Sequence, residues 1–397
     1  MNGTSCKKES ELSVEEKNIF AGHLKSQGLS DNIWDLFGEW VRRSTPGVNF
    51  FYLKVYNGVD LIGLGLFLKV KPVDLRSSYA GLRKNPVLSK IAAGISTLSS
   101  NCVYISFRNL ITCNITRPFF YQSPELAETV MTSMLKYLRN NKDADMITIV
   151  DTMEHDSVYL SEGFTRYASS SEASLDAAKY TDVAHYLGEH KNLKKNLARK
   201  KITPMAEVRC GLLSGVEIQQ MKACVDCSVQ ESNVNNPCQK FFEQNIFDTE
   251  VYTSDKYIHI FVRVDGVIAG FHTFQVSGCE MGGVLGGFNR NFTRNNFVYE
   301  RVIIASLEYS IANGIRRVHY SLIDNYTKLR LVESREASRL YFYSRNPINR
   351  KVFDLTYRFN DIYKLYCMEK SVLEVKPLSH GGLKTGISGD THNRVSQ

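Results

Sequence analysis

Apolar positions along the chain follow two spacings, one typical of helices and the other of strands. Residues 31–43 carry apolar side chains at helix spacing, while segments 49–56 and 61–70 flank an Asn57-Gly58 turn that predicts a hairpin. A second hairpin is predicted around Asp265-Gly266, between segments 257–264 and 267–276. The other predicted strands are 102–107, 146–151, a segment that follows Gly163-Phe164, 205–213, 280–287 and 317–323. The other predicted helices are 124–140, 216–231, 239–247 and 297–313. This mixture predicts an α/β protein with mixed sheets.

The order of the predicted elements repeats between the two halves of the chain. Residues 56–63 match residues 264–270 with one insertion, and the helix-to-strand unit 135–151 resembles 307–324. The two matches differ in offset by roughly 35 residues, about the length of an unpatterned segment at 72–100. We therefore expect two tandem domains built from a duplicated unit. The predicted boundaries are a helical leader at 1–45, a first domain at 46–190, a basic connecting helix at 191–203, a second domain at 204–376 and a disordered tail at 377–397.

Composition narrows the class of protein. The 397 residues are 43% hydrophobic and 23% charged, and no apolar run reaches the length of about 18 residues that a membrane-spanning helix needs. The first residues lack the apolar core of a secretory signal, so we expect a cytoplasmic protein. A net charge of +8 favours acidic partners, such as a phosphate-bearing cofactor, tRNA or an anionic membrane surface.

The nine cysteines are scattered. Cys224 and Cys227 form a CxxC on a predicted helix, but no second pair at zinc-ligand spacing accompanies them. We therefore expect reduced, partly buried thiols and no metal site.

Several short motifs together resemble a known superfamily. The turn glycines of the two hairpins lie beside helix-Gly-strand units, and residues 159–164 (YLSEGF) are similar to the Y-x-x-x-G-F turn of GNAT domains. Residues 182–187 precede a basic stretch, 191–201, much as in the FemAB-like and BioF2-like branch of that superfamily. The resemblance covers roughly residues 50 to 365. It implies two GNAT-like domains and an acyltransferase. We expect the active site in the second domain, because the candidate donor loop and the candidate catalytic residues both lie there.

The usual phosphate loop of GNAT enzymes, R/Q-x-x-G-x-G/A, is absent from both halves. Residues 286–296 (GGFNRNFTRNN) stand in its place, ahead of a long predicted helix. Glycines that allow close backbone approach, two arginines and a helix N-terminus favour anion binding, while a polar helix-capping loop is the alternative. The candidate donor-binding residues are Gly287, Asn289, Arg290, Arg294 and Asn295. In FemAB-like proteins the loss of this loop accompanies aminoacyl-tRNA as donor, so the expected donor is acyl-CoA, acyl carrier protein or aminoacyl-tRNA, with no permanently bound cofactor.

The candidate catalytic residues directly follow the predicted strand 317–323. Asp324, Tyr326 and Lys328 stand where the ends of sheet strands commonly form sites. The FemAB-like resemblance implies that Lys328 stabilises the oxyanion or binds an acceptor carboxylate and that Tyr326 donates a proton or orients the substrate. A solvated turn is the alternative. His272 and His319 are further candidate bases, and His272 is also a candidate substrate-binding residue, against the alternative of hydrogen-bonded core histidines.

The basic stretch forms a stripe if it is helical. Lys191, Lys195 and Arg199 align on one face, while Leu193 and Leu197 form the packed face. Such a stripe fits a phosphodiester backbone or, as the resemblance implies, a nucleotide sugar. The alternative is a solvated connecting helix.

These observations predict a transferase that moves an acyl or aminoacyl group from a carrier to an amine and forms an amide bond. One alternative is a catalytically inactive GNAT-like binding module at an RNA or membrane surface. Another is an acyl-CoA enzyme acting on a lipid amine beside an acidic bilayer.

Overall fold

The structure is a computed structural model of the 397-residue chain. It describes residues 4–26, 32–71, 86, 89–90, 102–106, 118–168, 172–198, 205–210, 213–229, 257–289, 291–292, 296–322, 331–335, 339–355 and 357–358. The predicted helix at 239–247 and the predicted tail at 377–397 therefore lie outside the described residues, as does the predicted insertion at 72–100 except for residues 86, 89 and 90.

Strands and helices follow each other in the mixed order that the sequence predicts. The strands are β1 (Thr4–Glu9), β2 (Val48–Asn57), β3 (Asp60–Val70), β4 (Val103–Ser106), β5 (Phe119–Tyr121), β6 (Met146–Asp151), β7 (Thr165–Ala168), β8 (Glu172–Asp176), β9 (Met205–Cys210), β10 (Tyr257–Val264), β11 (Val267–Ser277), β12 (Glu280–Phe288), β13 (Arg317–Leu322), β14 (Glu333–Arg335) and β15 (Arg339–Ser344). The helices are α1 (Val14–Ile19), α2 (Ala21–Ser26), α3 (Asn32–Arg42), α4 (Ala127–Asn140), α5 (Asp156–Ser161), α6 (Val183–Glu189), α7 (Lys191–Ala198), α8 (Gly215–Val229) and α9 (Val298–Ala312).

The described strands form two mixed sheets. The first has the order β1-β2-β3-β4-β6-β15-β7, with β5 also paired to β3, and the second has the order β14-β8-β13-β12-β11-β10-β9. Both predicted hairpins are present, β2 with β3 and β10 with β11. In the second hairpin the turn residues Asp265 and Gly266 have φ values of 51° and 80°, which explains why this dipeptide ends one strand and begins the next.

Each sheet is completed by a strand from the other half of the chain. β15, from the second half, lies between β6 and β7 of the first sheet, and β8, from the first half, lies between β13 and β14 of the second. The predicted boundaries at 46–190 and 204–376 assign each of these strands to the opposite half. The two sheets are therefore linked by a reciprocal exchange of strands.

Each of the two matching segments ends in a glycine that lies against a helix. A Cβ on Gly63 of β3 would collide with Val130 of α4, and a Cβ on Gly270 of β11 would lie 2.6 Å from Val298 of α9. Each glycine thus lets the helix of its own half pack closely on the sheet. These are the glycines that end the matching segments 56–63 and 264–270.

Helices cover both faces of each sheet. In the first sheet, α4 packs on one face and the leader helices α1 to α3 bury Trp34, Phe37 and Trp40 on the other. In the second sheet, α9 packs on one face and α8 on part of the other. The core under the leader helices also contains Tyr257 and Val284 of the second sheet, so the two halves share buried apolar surface.

Candidate functional site

A split opens in the second sheet between two parallel strands. β12 and β13 pair only where Glu280 to Gly282 lie beside Arg317 to His319. Beyond Gly282, β12 continues to Phe288 alongside β11 but without β13. The β11–β12 register shifts at this point, with Val284 as the extra residue on β12. Such a bulge bends and twists a strand, which accounts for its departure from β13.

Backbone donors of β12 point into this split. Asn289 N donates to Ala269 O at 2.8 Å, which makes these two residues a hydrogen-bonded pair between β12 and β11. Because such pairs alternate along an antiparallel ladder, the N–H groups of Phe288 and Gly286 point away from β11. Among the described strands none pairs with this edge. The split can therefore receive an extended chain or a carbonyl oxygen.

Helix α9 begins close to the end of β12. Its N-cap residue, Phe297, has a left-handed backbone conformation with φ of 51°, and no side chain of the described residues makes a capping hydrogen bond there. Arg301 Nε donates to Asn296 O at 3.1 Å, just before the helix begins. The first N–H groups of the helix and its dipole therefore favour an anion at this end.

The predicted donor-binding loop is described only in part. Gly287 is buried against α8, where a Cβ would lie 2.8 Å from Val225 N, and Asn289 Oδ1 accepts from Asn291 N at 3.1 Å. These contacts give both residues a structural role, and their part in donor binding stays a prediction. Arg290, Arg294 and Asn295 lie outside the described residues.

His272 lies on β11 beside the split, on the face that packs against α9. It is buried, its ring stacks on Phe274 with centroids 4.4 Å apart, and its Nε2 lies 2.5 Å from the position that a Cβ on Gly283 would occupy. Tyr320 lies beneath it, and its hydroxyl is hydrogen-bonded to Ser306 of α9. Complete burial raises the pKa of Tyr320, so it remains neutral and serves as a hydrogen-bonding group.

His319 lies on the opposite face of the sheet, at the closed end of the split. Its Nε2 is 3.0 Å from Glu280 Oε2. Since an ionised carboxylate only accepts hydrogen bonds, this contact fixes the proton on Nε2 and leaves the lone pair of the neutral ring on Nδ1. Nδ1 is buried and has no hydrogen-bond partner among the described residues. A base oriented by a carboxylate is an arrangement that enzymes use for proton transfer.

His319 belongs to a row of polar positions that crosses the sheet. In the row Gln275, Gly282, His319, Ser174 and Glu333, each residue is the partner of the next on an adjacent strand. The glycine means that β12 contributes no side chain between Gln275 and His319.

Beside that row, on the same face, His259 Nδ1 lies 2.9 Å from Thr273 Oγ1, and both residues are buried. His259, Glu280 and Ser174 are site residues that were not predicted from the sequence. A buried position filled by a polar residue inside an apolar strand, as in 257–262 (YIHIFV), is the signal that could have found His259.

The predicted catalytic residues Asp324, Tyr326 and Lys328 lie outside the described residues. The strand that precedes them, β13, ends at Leu322. Since β13 runs parallel to β12, this end is the open end of the split. Their roles stay predictions.

The basic helix is present as α7. Leu193 is buried and Leu197 partly buried in the second core, while Lys191 and Lys195 are exposed, as the predicted stripe requires. Arg199 lies outside the described residues. A binding role for this face stays a prediction.

In the first half the parallel strands that match β12 and β13 are β4 and β6, and aromatic rings pack at the end of β6. At the end of β6 the Tyr159 hydroxyl donates to Asp151 Oδ2 at 2.7 Å, and the Tyr159 ring stacks on Tyr341 of β15 at 3.7 Å. The Y-x-x-x-G-F turn thus anchors the exchanged strand, and Gly163 in that turn has a φ of 77°.

The CxxC lies on α8. The Cys224 thiol donates to Ile268 O at 3.3 Å, and burial raises the pKa of this thiol to about 12. It is therefore an unreactive, packed thiol at neutral pH. Across the described residues no three His, Cys, Asp or Glu side chains are grouped to hold a metal. No helix in the described part of the chain is long and apolar enough to cross a membrane.

Comparisons with known proteins concern the fold. No protein-family model matches the chain, and no curated protein matches it. FemX resembles it with a TM-score of 0.52 and 12% identity, over 88% of this chain and 99% of that one. The structure of L-PGS from Bacillus licheniformis gives 0.51 and 9%, over 89% and 97%. A tandem GNAT protein from the clavulanic acid biosynthesis pathway gives 0.51 and 10%, over 86% and 99%.

These likenesses define the class of fold. The chain has the fold of tandem GNAT proteins, which confirms the predicted α/β architecture. The match to FemX confirms, at the level of the fold, the predicted resemblance to FemAB-like proteins.

Proposed function

We propose that this protein is an N-acyltransferase. It moves an acyl or aminoacyl group from a carrier to an amine acceptor and forms an amide bond. The observation that carries the proposal is the split between β12 and β13, with the Glu280–His319 pair at its closed end.

Binding of the acyl donor uses backbone N–H groups of β12 that point into the split. An extended carrier arm is hydrogen-bonded by the N–H groups of Gly286 and Phe288, and a phosphate lies near the N-terminus of α9. Acyl-CoA, acyl carrier protein and aminoacyl-tRNA all hold the acyl group as a thioester or an ester. Each of these carriers also bears phosphate. The structure of the similar tandem GNAT protein from the clavulanic acid biosynthesis pathway is one without AcCoA. Acetyl-CoA is therefore one carrier to test with this chain.

The chemistry needs one base and one group of oxyanion donors. The acceptor ammonium gives a proton to His319 Nδ1, and Glu280 stabilises the imidazolium that forms. The neutral amine then attacks the carbonyl carbon, and the N–H groups in the split stabilise the oxyanion. When the tetrahedral intermediate collapses, the C–S or C–O bond to the carrier breaks and the nitrogen loses its second proton, which the carrier takes up as it leaves as a thiol or a hydroxyl. Lys328 and Tyr326 are proposed to assist as a second oxyanion donor and a proton donor.

The exposed face of α7 is the proposed contact for an anionic partner. Lys191 and Lys195, with Arg199 next along the chain, follow the phosphates of a tRNA or the headgroups of a membrane surface. Binding at this face should weaken as salt is added, since it is electrostatic.

The test is a panel of donors offered to the full-length protein with primary amines as acceptors. Labelled acyl-CoA, acyl carrier protein and aminoacyl-tRNA are supplied separately, and transfer of the label to the amine is measured. Turnover of charged tRNA alone favours a FemAB-like activity, and thioester turnover favours a metabolite or lipid amine. His319→Gln should reduce turnover roughly 100-fold. Failure of every donor to react or bind contradicts the proposal.

A further inference from the structure

The exchanged strand β8 brings a residue of the first half into the polar row of the second sheet. Ser174 is the direct partner of His319 across the antiparallel pair β8–β13. Val318 and Tyr320 of β13 face α9, so His319 and Ser174 share the other face. Side chains at such partner positions have Cβ atoms about 5 Å apart, close enough to bind the same atom of a ligand.

Both side chains have buried polar atoms that lack a partner. Ser174 is 1% exposed and His319 9% exposed, and neither Ser174 Oγ nor His319 Nδ1 has a hydrogen-bond partner among the described residues. A buried polar atom left without a hydrogen bond costs about 1 to 3 kcal/mol. Two such atoms on adjacent strands are therefore expected to serve a ligand.

The charged groups on this face favour a cation. Glu280 holds His319, and Glu333, the strand partner of Ser174, is paired with Lys179. In the next row Arg317 lies between Glu280 and Asp176, with a nitrogen-to-oxygen distance of 4.0 Å to Glu280. Around Ser174 and His319 these groups amount to three carboxylates, Glu280, Glu333 and Asp176, against two fixed cations, Lys179 and Arg317, so an ammonium is stabilised beside His319.

We infer that Ser174 and His319 together hold the acceptor amine of the proposed transfer reaction. The ammonium donates one hydrogen bond to Ser174 Oγ and another to His319 Nδ1. The proton on the second bond passes to Nδ1, while Ser174 retains the nitrogen for its attack on the acyl carbon. Ser174 forms no covalent bond. The inference rests on the proposed function for its chemistry, and it makes the site a composite of both halves.

The test uses n-butylamine as the probe and the ring nitrogens of His319 as the readout. Full-length protein with isotope-labelled histidine is titrated by NMR, and His319→Gln assigns the resonance among the nine histidines. Butylamine should shift the His319 Nδ1 resonance. Tetramethylammonium has the same charge but no N–H, and it should not shift this resonance. Ser174→Ala should weaken the apparent affinity for butylamine about five- to tenfold, the effect of one hydrogen bond.

Ser174→Thr is the matched control, because it keeps the hydroxyl and should keep the affinity within about twofold of the wild type. Ser174→Cys replaces Ser174→Ala if the alanine variant does not fold. An unchanged affinity in Ser174→Ala, or an equal response to tetramethylammonium, overturns the inference. If butylamine leaves His319 unchanged in a protein that transfers acyl groups, the inference fails and the proposed function stands. If butylamine binds as expected but no donor reacts, the proposed function fails instead.

Discussion

At the scale of single residues, Gly283 controls the space beside the split. A Cβ at this position would lie 2.5 Å from His272 Nε2 and 3.1 Å from the backbone oxygen of His319. The His272 ring is buried and stacked on Phe274, so it has little freedom to move away. The glycine is therefore required by the histidine and by the close approach of β13.

We expect Gly283→Ala to displace His272 and to lower the free energy of unfolding by about 1 to 3 kcal/mol, the usual cost of an overpacked core. Urea unfolding measures the loss, and the NMR signals of His272 report the displacement. The matched control is Gly188→Ala in α6, where an added Cβ meets nothing within 4 Å. That variant should be unchanged or more stable by up to about 1 kcal/mol. Equal effects of the two variants would contradict this account of Gly283.

Only part of the site could be predicted from single residues. His272 and His319 stood out as histidines in apolar strands, and the glycines of β12 indicated close backbone approach. The roles of Glu280 and Ser174 depend on register, because each becomes a neighbour of His319 only through strand pairing. No local pattern in the sequence carries that information.

At the scale of elements, a buried lysine fastens the N-terminal segment to the first sheet. Lys54 of β2 is 3% exposed, and its Nζ lies 2.7 Å from carboxylate oxygens of both Glu9 in β1 and Glu16 in α1. Burial lowers the pKa of Lys54, but its hydrogen bonds to the two carboxylates outweigh this effect and raise the pKa overall. The contribution of this contact is therefore complete below the ordinary lysine pKa of about 10.4 and is lost as the pH rises beyond it.

Lys54→Met should lower the free energy of unfolding by about 2 kcal/mol and free β1 and α1 from the sheet. The loss is below that of a fully buried ion pair because Glu9 and Glu16 are partly exposed. Faster amide exchange in β1, with β3 unchanged, is the measurement. Lys17→Met, which removes an exposed pair with Asp35, is the control and should cost less than about 1 kcal/mol. Unchanged exchange in β1 would show that the strand is held by its backbone ladder alone.

The helices and strands that could be predicted from the sequence are those with local patterns of turn residues and apolar positions. Both hairpins and the strands β6 and β13 follow from turn residues and apolar segments, and α4 and α9 follow from helix spacing. β1, β5, β8, β14 and β15 were missed. Each is short, and β8 and β15 pair with strands of the other half, so their strand conformation depends on distant residues.

At the scale of the whole molecule, the exchange of β8 and β15 makes the two halves depend on each other. Residues 1–190 lack β15, which pairs with both β6 and β7, so β6 would keep only β4 as a partner and β7 would lose its partner among the described strands. Residues 204–376 lack β8, which pairs with both β13 and β14. Neither piece should fold alone, whereas the two pieces expressed together should form a complex. Circular dichroism and amide NMR spectra of the separate pieces are the measurement. A dispersed amide spectrum from either piece by itself would contradict the exchange.

In the proposed function, the split between β12 and β13 receives the acyl carrier. Amide hydrogen exchange tests it directly, with free coenzyme A, acyl carrier protein and uncharged tRNA each added to the full-length protein. At least one carrier should slow amide exchange at Gly286 and Phe288, whose N–H groups face the split. Exchange in β6 of the first half should be unaffected. Protection confined to the first half, or no protection by any carrier, would contradict it.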